Sequence, residues 1–279
     1  MSGTNGGERH ADTDLDPSKI ERALAQRQAR IGLPLVVQGA TVSTNDDAKR
    51  AAQAGAPEGA AFVADAQASG RGRLGRTWHS PPGSNLYVSF VLRPTLTTER
   101  LGWVSLAAGL AVVDAVGPRV AQVAGTARLG IKWPNDVLLD GRKLAGVLSE
   151  AEIVDHKARA VIVGIGINVR TSVFPPDLAG TATSLALAGV ADLDRSTLLV
   201  DLSLALATRI DALEHGETSA LHADLRRLDV LAGKMITVAG MRGCAVGIGP
   251  QGWLHVVGPD GEERAFGSGE ATVEARTAP

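Results

Sequence analysis

The chain has 279 residues, a formal net charge of −2 and 44% hydrophobic residues, so it carries enough apolar side chains for a sizeable core. A charge this near zero excludes bulk electrostatic attraction to nucleic acid or to an anionic membrane. The single cysteine, Cys244, excludes an internal disulfide or a CxxC zinc site, and the six histidines show no HxH or HExxH spacing.

Residues 1–16 are small, polar and aperiodic, and are expected to be disordered. They lack the basic-then-apolar layout of a signal peptide, and no apolar run approaches the ~20 residues of a membrane span. The expectation is a soluble, cytoplasmic protein. From Pro17 to about Arg30 the pattern predicts a helix capped by Asp16. A strand and turn, VVQGATVSTN, lead to a helix capped by Ser43 or Thr44, with Asp46 or Asp47 in capping-box register, that ends at Gly55. AAFVADAQ (60–67) and NLYVSFVLR (85–93) read as strands, and 101–116 as an apolar helix stopped by Gly117-Pro118. Asp140-Gly141 is a hairpin turn between two apolar runs, and a third run, 159–169, follows directly. Strands in direct succession predict an antiparallel meander rather than a doubly wound parallel sheet. Helices are expected from Arg195 to about Leu213 and over 217–228, and then five short strands separated by glycine turns. The division is an α+β domain over 17–229 and a small β-barrel over 230–279.

Two stretches carry chemistry. GRGRLGRTWHSPPGSN (70–85) contains a GxGxxG pattern, but two prolines and a glycine follow where a dinucleotide fingerprint needs a helix. Glycines alone would suit a linker. Three guanidinium groups, Arg71, Arg73 and Arg76, with Trp78 beside them, point instead to a mobile cationic lid for an anionic ligand. In KWPNDVLLDGRKLAG (132–146), Pro134 ends any strand begun before it and leaves Asn135 and Asp136 on a loop. Alternation puts Lys143, Ala145 and Val147 on one face, and Leu144, Gly146 and Leu148 on the other.

Taken in order, STN (43–45), EGAAFVADAQASGRGRLGR (58–76), SPPGSNLYVSF (80–90), KWPNDV (132–137), RKLAGVLSE (142–150) and GIGINV (164–169) closely resemble the biotin protein ligases. The resemblance runs from about residue 40 to 275 and is specific, because distinct motifs recur in one order. It implies a class II synthetase-like catalytic domain with a mixed or antiparallel sheet, plus a C-terminal Src-homology-3-like barrel. It also implies a two-step reaction in which biotin and ATP form biotinyl-5′-adenylate, and biotin then passes to a lysine of a biotin carboxyl carrier domain of an acyl-CoA or pyruvate carboxylase. The substrates are ATP and biotin, with Mg2+ accompanying ATP; no metal ligands of the protein's own are expected.

Carried over by the resemblance, Ser43, Thr44 and Asn45 match the turn that hydrogen-bonds biotin, and Gln67 matches a glutamine of the biotin site. Arg71, Gly72 and Arg73 match the closing loop, Arg76 and Lys132 face the nucleotide phosphates, and Trp78 and Asn168 lie near the adenine. Lys143 matches the lysine at the biotin carboxyl and the phosphoryl group. Asp136 would orient a cation or the acceptor lysine. Leu74, His79 and Val42 depart from the commonest pattern without touching these charged contacts. The stretch before Ser43 has room for one helix, so the expectation is a monofunctional form that binds neither DNA nor membrane. Two other classes share parts of this pattern. A lipoyl or octanoyl transferase is disfavoured by the arginine loop, KWPND and the barrel, and a nucleic-acid-binding barrel by the scarcity of aromatic residues after 230.

Overall fold

The apolar runs before residue 168 form one seven-stranded sheet: β1 (Leu35–Thr41), β2 (Ala61–Gln67), β3 (Leu86–Leu92), β4 (Leu129–Lys132), β5 (Asp136–Leu139), β6 (Arg142–Val154) and β7 (Lys157–Ile167). The computed structural model describes residues 13–123, 128–155, 157–191 and 194–274. Strand order is β1-β2-β3-β7-β6-β5-β4. β4 to β7 pair antiparallel in succession, as the sequence predicts, and only β1–β2 is parallel. A parallel neighbour needs a crossover, which α2 (Thr44–Gln53) supplies. The remaining helices are α1 (Pro17–Gln26), α3 (Gly102–Val123), α4 (Arg195–Glu214) and α5 (Thr218–Leu228). Five short strands, β8 (Met235–Val238), β9 (Met241–Ile248), β10 (Leu254–Val257), β11 (Glu263–Phe266) and β12 (Ala271–Val273), make a second, antiparallel sheet. The fold class is therefore mixed α+β with a C-terminal β unit.

Alternation along the strands divides the large sheet into two faces. Val63, Val88, Phe90, Val147, Val163 and Ile165 join the main core, against which α3 and α4 pack. Phe62, Val91 and Ile162 point the other way and meet α2. One short helix cannot cover seven strands. The rest of that face is open, and the cavity described below lies there.

Two local expectations are corrected, and one helix needs comment. α3 does not stop at Gly117-Pro118 but runs on to Val123, with Pro118 inside it. An interior proline costs a backbone hydrogen bond, but Ala115, Val116 and Val120 are buried around it and Arg119 bonds Asp201 of α4. By length and composition the helical stretch 98–123 could cross a membrane. Here it is a core helix, buried between the sheet and α4. Finally, residues 1–12 of the segment expected to be disordered lie outside the described residues, but Thr13–Asp16 are ordered. Arg195, buried at the start of α4, needs counter-charges, and Asp14 Oδ1 and Asp65 Oδ1 stand 2.6 and 2.7 Å from it. That demand pulls the chain down and buries Leu15.

Candidate active site

Every residue singled out for a binding or catalytic role lines one cavity of about 500 Å3 on the open face of the sheet. At one end is the turn Ser43-Thr44-Asn45, buried at the start of α2. Ser43 takes the N-cap position but makes no side-chain cap bond. The capping box is not formed: Asp46, three residues on, accepts from Arg71 at 2.6 Å, and Asp47 accepts from Thr41 Oγ1 at 2.6 Å and Gln38 Nε2 at 3.1 Å. Thr44 donates its backbone N–H and hydroxyl to Gln67 Oε1 at 2.9 and 3.1 Å, and Gln67 Nε2 donates to Ser80 at 3.0 Å. Asn45 Oδ1 lies 2.6 Å from Ser89 Oγ, and its Nδ2 donates to Glu150 at 2.7 Å. Gly164 is needed here: a Cβ on it would stand 1.9 Å from Asn45 Oδ1. The result is a neutral, fully oriented hydrogen-bonding wall.

The arginine loop closes the cavity. Gly72 N–H donates to Arg76 O at 2.7 Å and Trp78 N–H to Gly70 O at 2.8 Å, so the loop is a small hairpin with Leu74 at φ +56° at its tip. Three neighbouring cations should repel, but each is taken by a different acceptor. Arg71 reaches Asp46 at 2.6 Å and Glu150 at 3.4 Å, Arg73 donates to the carbonyl of Gly269 at 3.0 Å, and Arg76 pairs with Glu270. Arg73 is half-buried, and burial pushes its pKa down against the pull of Asp136 and Glu270. The Arg76 guanidinium holds the Glu270 carboxyl below the usual glutamate range, with Lys132 and Lys143 adding to the effect. The cavity's lining thus combines Arg71, Arg73, Arg76, Lys132 and Lys143 with only Asp136 and Glu270 as acids. That imbalance favours an anionic ligand.

Lys143 is placed by a bulge that the sequence reading missed. Val137 pairs with Ala145 and Leu138 with Lys143, so Leu144 is an extra residue on β6. The bulge breaks the expected alternation and turns Lys143 to the same face as Gly146, over which its Cε lies. Its Nζ is 2.7 Å from Asp136 Oδ1 and 5.3 Å from the Trp78 ring centroid. Asp136 opens β5 rather than lying on the loop. Asn168 is less free than its place in GIGIN suggests: its Nδ2 donates to Thr183 O at 3.0 Å, tying 181–183 to the sheet beside Lys143.

Comparison with known proteins gives the chain a family. Residues 39–168 match the model of the biotin/lipoate A/B protein ligase family. A biotin–[acetyl-CoA-carboxylase] ligase of Mycobacterium tuberculosis is 36% identical over 231 residues, 80% of this chain and 82% of that protein. The chain belongs to the biotin/lipoate A/B protein ligase family. The bifunctional ligase/repressor BirA of Bacillus subtilis is 36% identical over 205 residues, covering 70% of this chain; the match spans only 62% of that protein's own length. Among solved structures, the biotin protein ligase of Aquifex aeolicus in complex with biotin and ATP superposes with a TM-score of 0.72 at 29% identity, covering 86% of this chain and 98% of that one.

Several residues of this family member's cavity gave no sequence signal. Glu270 and Gly269 lie just before β12 of the second sheet, 194 and 196 residues from the arginines they hold. Trp133 of KWPND is buried and donates Nε1–H to Gly252 O at 3.1 Å, and Trp103 donates to Pro250 O at 3.0 Å. The β9–β10 turn is thereby fastened to the motif that carries Lys132 and Asp136. Among the described residues, no group of three or more His, Cys, Asp and Glu could hold a metal ion.

Proposed function

We propose that the chain is a biotin protein ligase: it activates biotin with ATP to biotinyl-5′-AMP and transfers biotin to a lysine of a biotin carboxyl carrier domain of an acyl-CoA or pyruvate carboxylase. The observation that carries this reading is that the neutral wall of Ser43, Thr44, Asn45 and Gln67 and the cationic end at Lys143 open into one cavity. A neutral polar ring system at one end and a carboxylate at the other is the ligand such a cavity fits.

In the first step a carboxylate oxygen of biotin attacks the α-phosphorus of ATP, and the bond to the pyrophosphate oxygen breaks. Both reactants are anions. Lys143, with Arg71 and Arg73 from the loop, offsets their repulsion and stabilises charge on the phosphoryl oxygens. Arg76 and Lys132 hold the nucleotide phosphates, and Trp78 and Asn168 flank the adenine. In the second step the carrier lysine attacks the acyl carbon, the acyl–phosphate bond breaks, and AMP leaves. Asp136, already paired with Lys143, is placed to orient the incoming amine. The loop keeps water from the adenylate. Magnesium enters with ATP in this reading. Asp136 and Glu270 are each ion-paired, so the phosphate oxygens rather than a protein carboxylate cage would carry the ion.

The reading assigns catalysis to residues 17–229 and a supporting Src-homology-3-like barrel to 230–279. It places the reaction in the cytoplasm and involves neither DNA nor membrane. It is tested by incubating the protein with ATP, biotin and a purified apo carrier domain. One biotinyl group should appear on the carrier lysine, with AMP released and none on a Lys→Arg carrier. Transfer of lipoate or octanoate in preference to biotin would favour the related acyltransferase activity instead.

A further inference from the structure

Arg195 opens α4 and is buried. A guanidinium taken out of water must have its donors met, and its partners fall into two groups. On one side it bonds Asp14, through Nε at 2.6 Å and through its own backbone N–H at 2.8 Å. On the other, Nη2 stands 2.7 Å from Asp65 Oδ1, and Nη1 donates to the carbonyl of Asn85 at 3.0 Å. Neither Arg195 nor Asp65 lines the cavity. Both lie behind it.

What they hold is the segment 80–85, which leads from the arginine loop into β3. Asp65 Oδ2 accepts from the Gly83 N–H at 2.9 Å. Together with Asn85, that gives the guanidinium two grips on one end of the segment. At the other end Ser80 meets Gln67, which closes β2 two residues beyond Asp65. The Ser80 hydroxyl commits its proton to the Trp78 carbonyl at 3.0 Å, so toward Gln67 it can only accept. Gln67 Nε2 donates to it at 3.0 Å, while Gln67 Oε1 takes both Thr44 donors. The amide is thus fixed from two sides, and one of them is set by where the segment lies. Tyr87, whose side chain lines the cavity, adds a brace by donating to Pro81 O at 3.1 Å.

We propose that Arg195 and Asp65 are positioning residues of the biotin wall: their buried pair fixes the segment 80–85, which presents Ser80 to Gln67 and so orients the amide that faces the substrate. This rests on the ligase reading, in which Gln67 meets biotin. Neither residue of the pair touches the substrate itself.

The test measures biotin binding to the full chain by calorimetry, and the Michaelis constant for ATP by pyrophosphate exchange. In Asp65→Asn one of the two oxygens becomes an NH2 group facing a donor, so either Arg195 or Gly83 loses its acceptor. Biotin affinity should fall about three- to tenfold, the worth of one hydrogen bond, with the Michaelis constant for ATP unchanged. Gln67→Ala should weaken biotin by itself, and Asp65→Asn added to it should cost nothing more. General damage to the fold would instead add in the double variant and raise both constants. Arg195→Lys keeps a charge between Asp14 and Asp65 but lacks the fork that also reaches Asn85. It should behave as Asp65→Asn does, and it decides the matter if that variant does not fold. Unchanged biotin affinity, or losses that add in the double variant, overturns the proposal and leaves the ligase reading standing. No biotin binding by the unaltered protein overturns both.

Discussion

Lys143 and Asp136 form a 2.7 Å ion pair although they are not partners in the strand register: Asp136 faces Gly146, and Lys143 faces Leu138. The bulge at Leu144 turns the lysine into the cavity, so its ammonium is aimed before any ligand arrives. Lys143→Ala should remove a charge-assisted hydrogen bond worth about 1.5–3 kcal/mol, roughly ten- to two-hundred-fold in adenylation rate or biotin affinity. Lys143→Arg should rescue poorly, because a planar fork does not replace a point charge. Single-turnover adenylation in Lys143→Ala at the wild-type rate would remove Lys143 from the chemistry.

The Arg76–Glu270 pair ties the arginine loop to the second sheet. Both side chains are partly exposed, so the pair is a modest latch. Glu270→Gln should raise trypsin cleavage after Arg76 in the ligand-free protein by about two- to fivefold. The latch's pH dependence has a definite sign. Arg76 depresses the Glu270 pKa, so the latch is fully present above the ordinary glutamate range and is lost as pH falls through the depressed value. Cleavage corrected for trypsin's own pH profile should therefore be flat from neutral to mildly acidic pH. A rise near pH 6 would mean that another group holds the loop.

How much of this was legible in the sequence follows from the range of each interaction. The meander, the hairpin at Asp140-Gly141 and the small antiparallel C-terminal sheet follow from local alternation and turn chemistry, which a short window contains. So do the motifs that line the cavity. The Leu144 bulge was not legible, because it depends on how β5 pairs with β6. Nor were the counter-charges of the arginine loop: Asp46 on α2, Glu150 on β6 and Glu270 just before β12 are brought together only by the fold. The continuation of α3 past Pro118 was misread because packing outweighed a local helix-breaking signal.

Trp133 links the β9–β10 turn to KWPND through its bond to the Gly252 carbonyl. Trp133→Phe deletes that donor in a buried site and should cost about 1–3 kcal/mol in urea-unfolding stability. If the link also positions Lys132 and Asp136, the Michaelis constant for ATP should rise while that for biotin changes little. Equal changes in both would reduce Trp133 to a packing residue.

Asp229 bridges α5 and β8, and burial pushes its carboxyl above the usual aspartate range, with backbone bonds from Leu231 and Ala232 opposing. The folded state then binds the proton more tightly than the unfolded one. Stability should fall as pH rises from the ordinary aspartate range through the raised value. Asp229→Asn, which keeps an acceptor for those N–H groups, should raise the melting temperature at neutral pH and lose that advantage in acid. A constant difference at all pH values would show that charge is not the cause.

In the ligase reading one cavity brings the biotin carboxylate and the ATP α-phosphate together. Pyrophosphate–ATP isotope exchange measures that step without any acceptor protein. Exchange should require biotin and should be severely reduced in Lys143→Ala. Exchange that proceeds equally without biotin, or none with saturating biotin and ATP, would mean that the cavity does not form the adenylate.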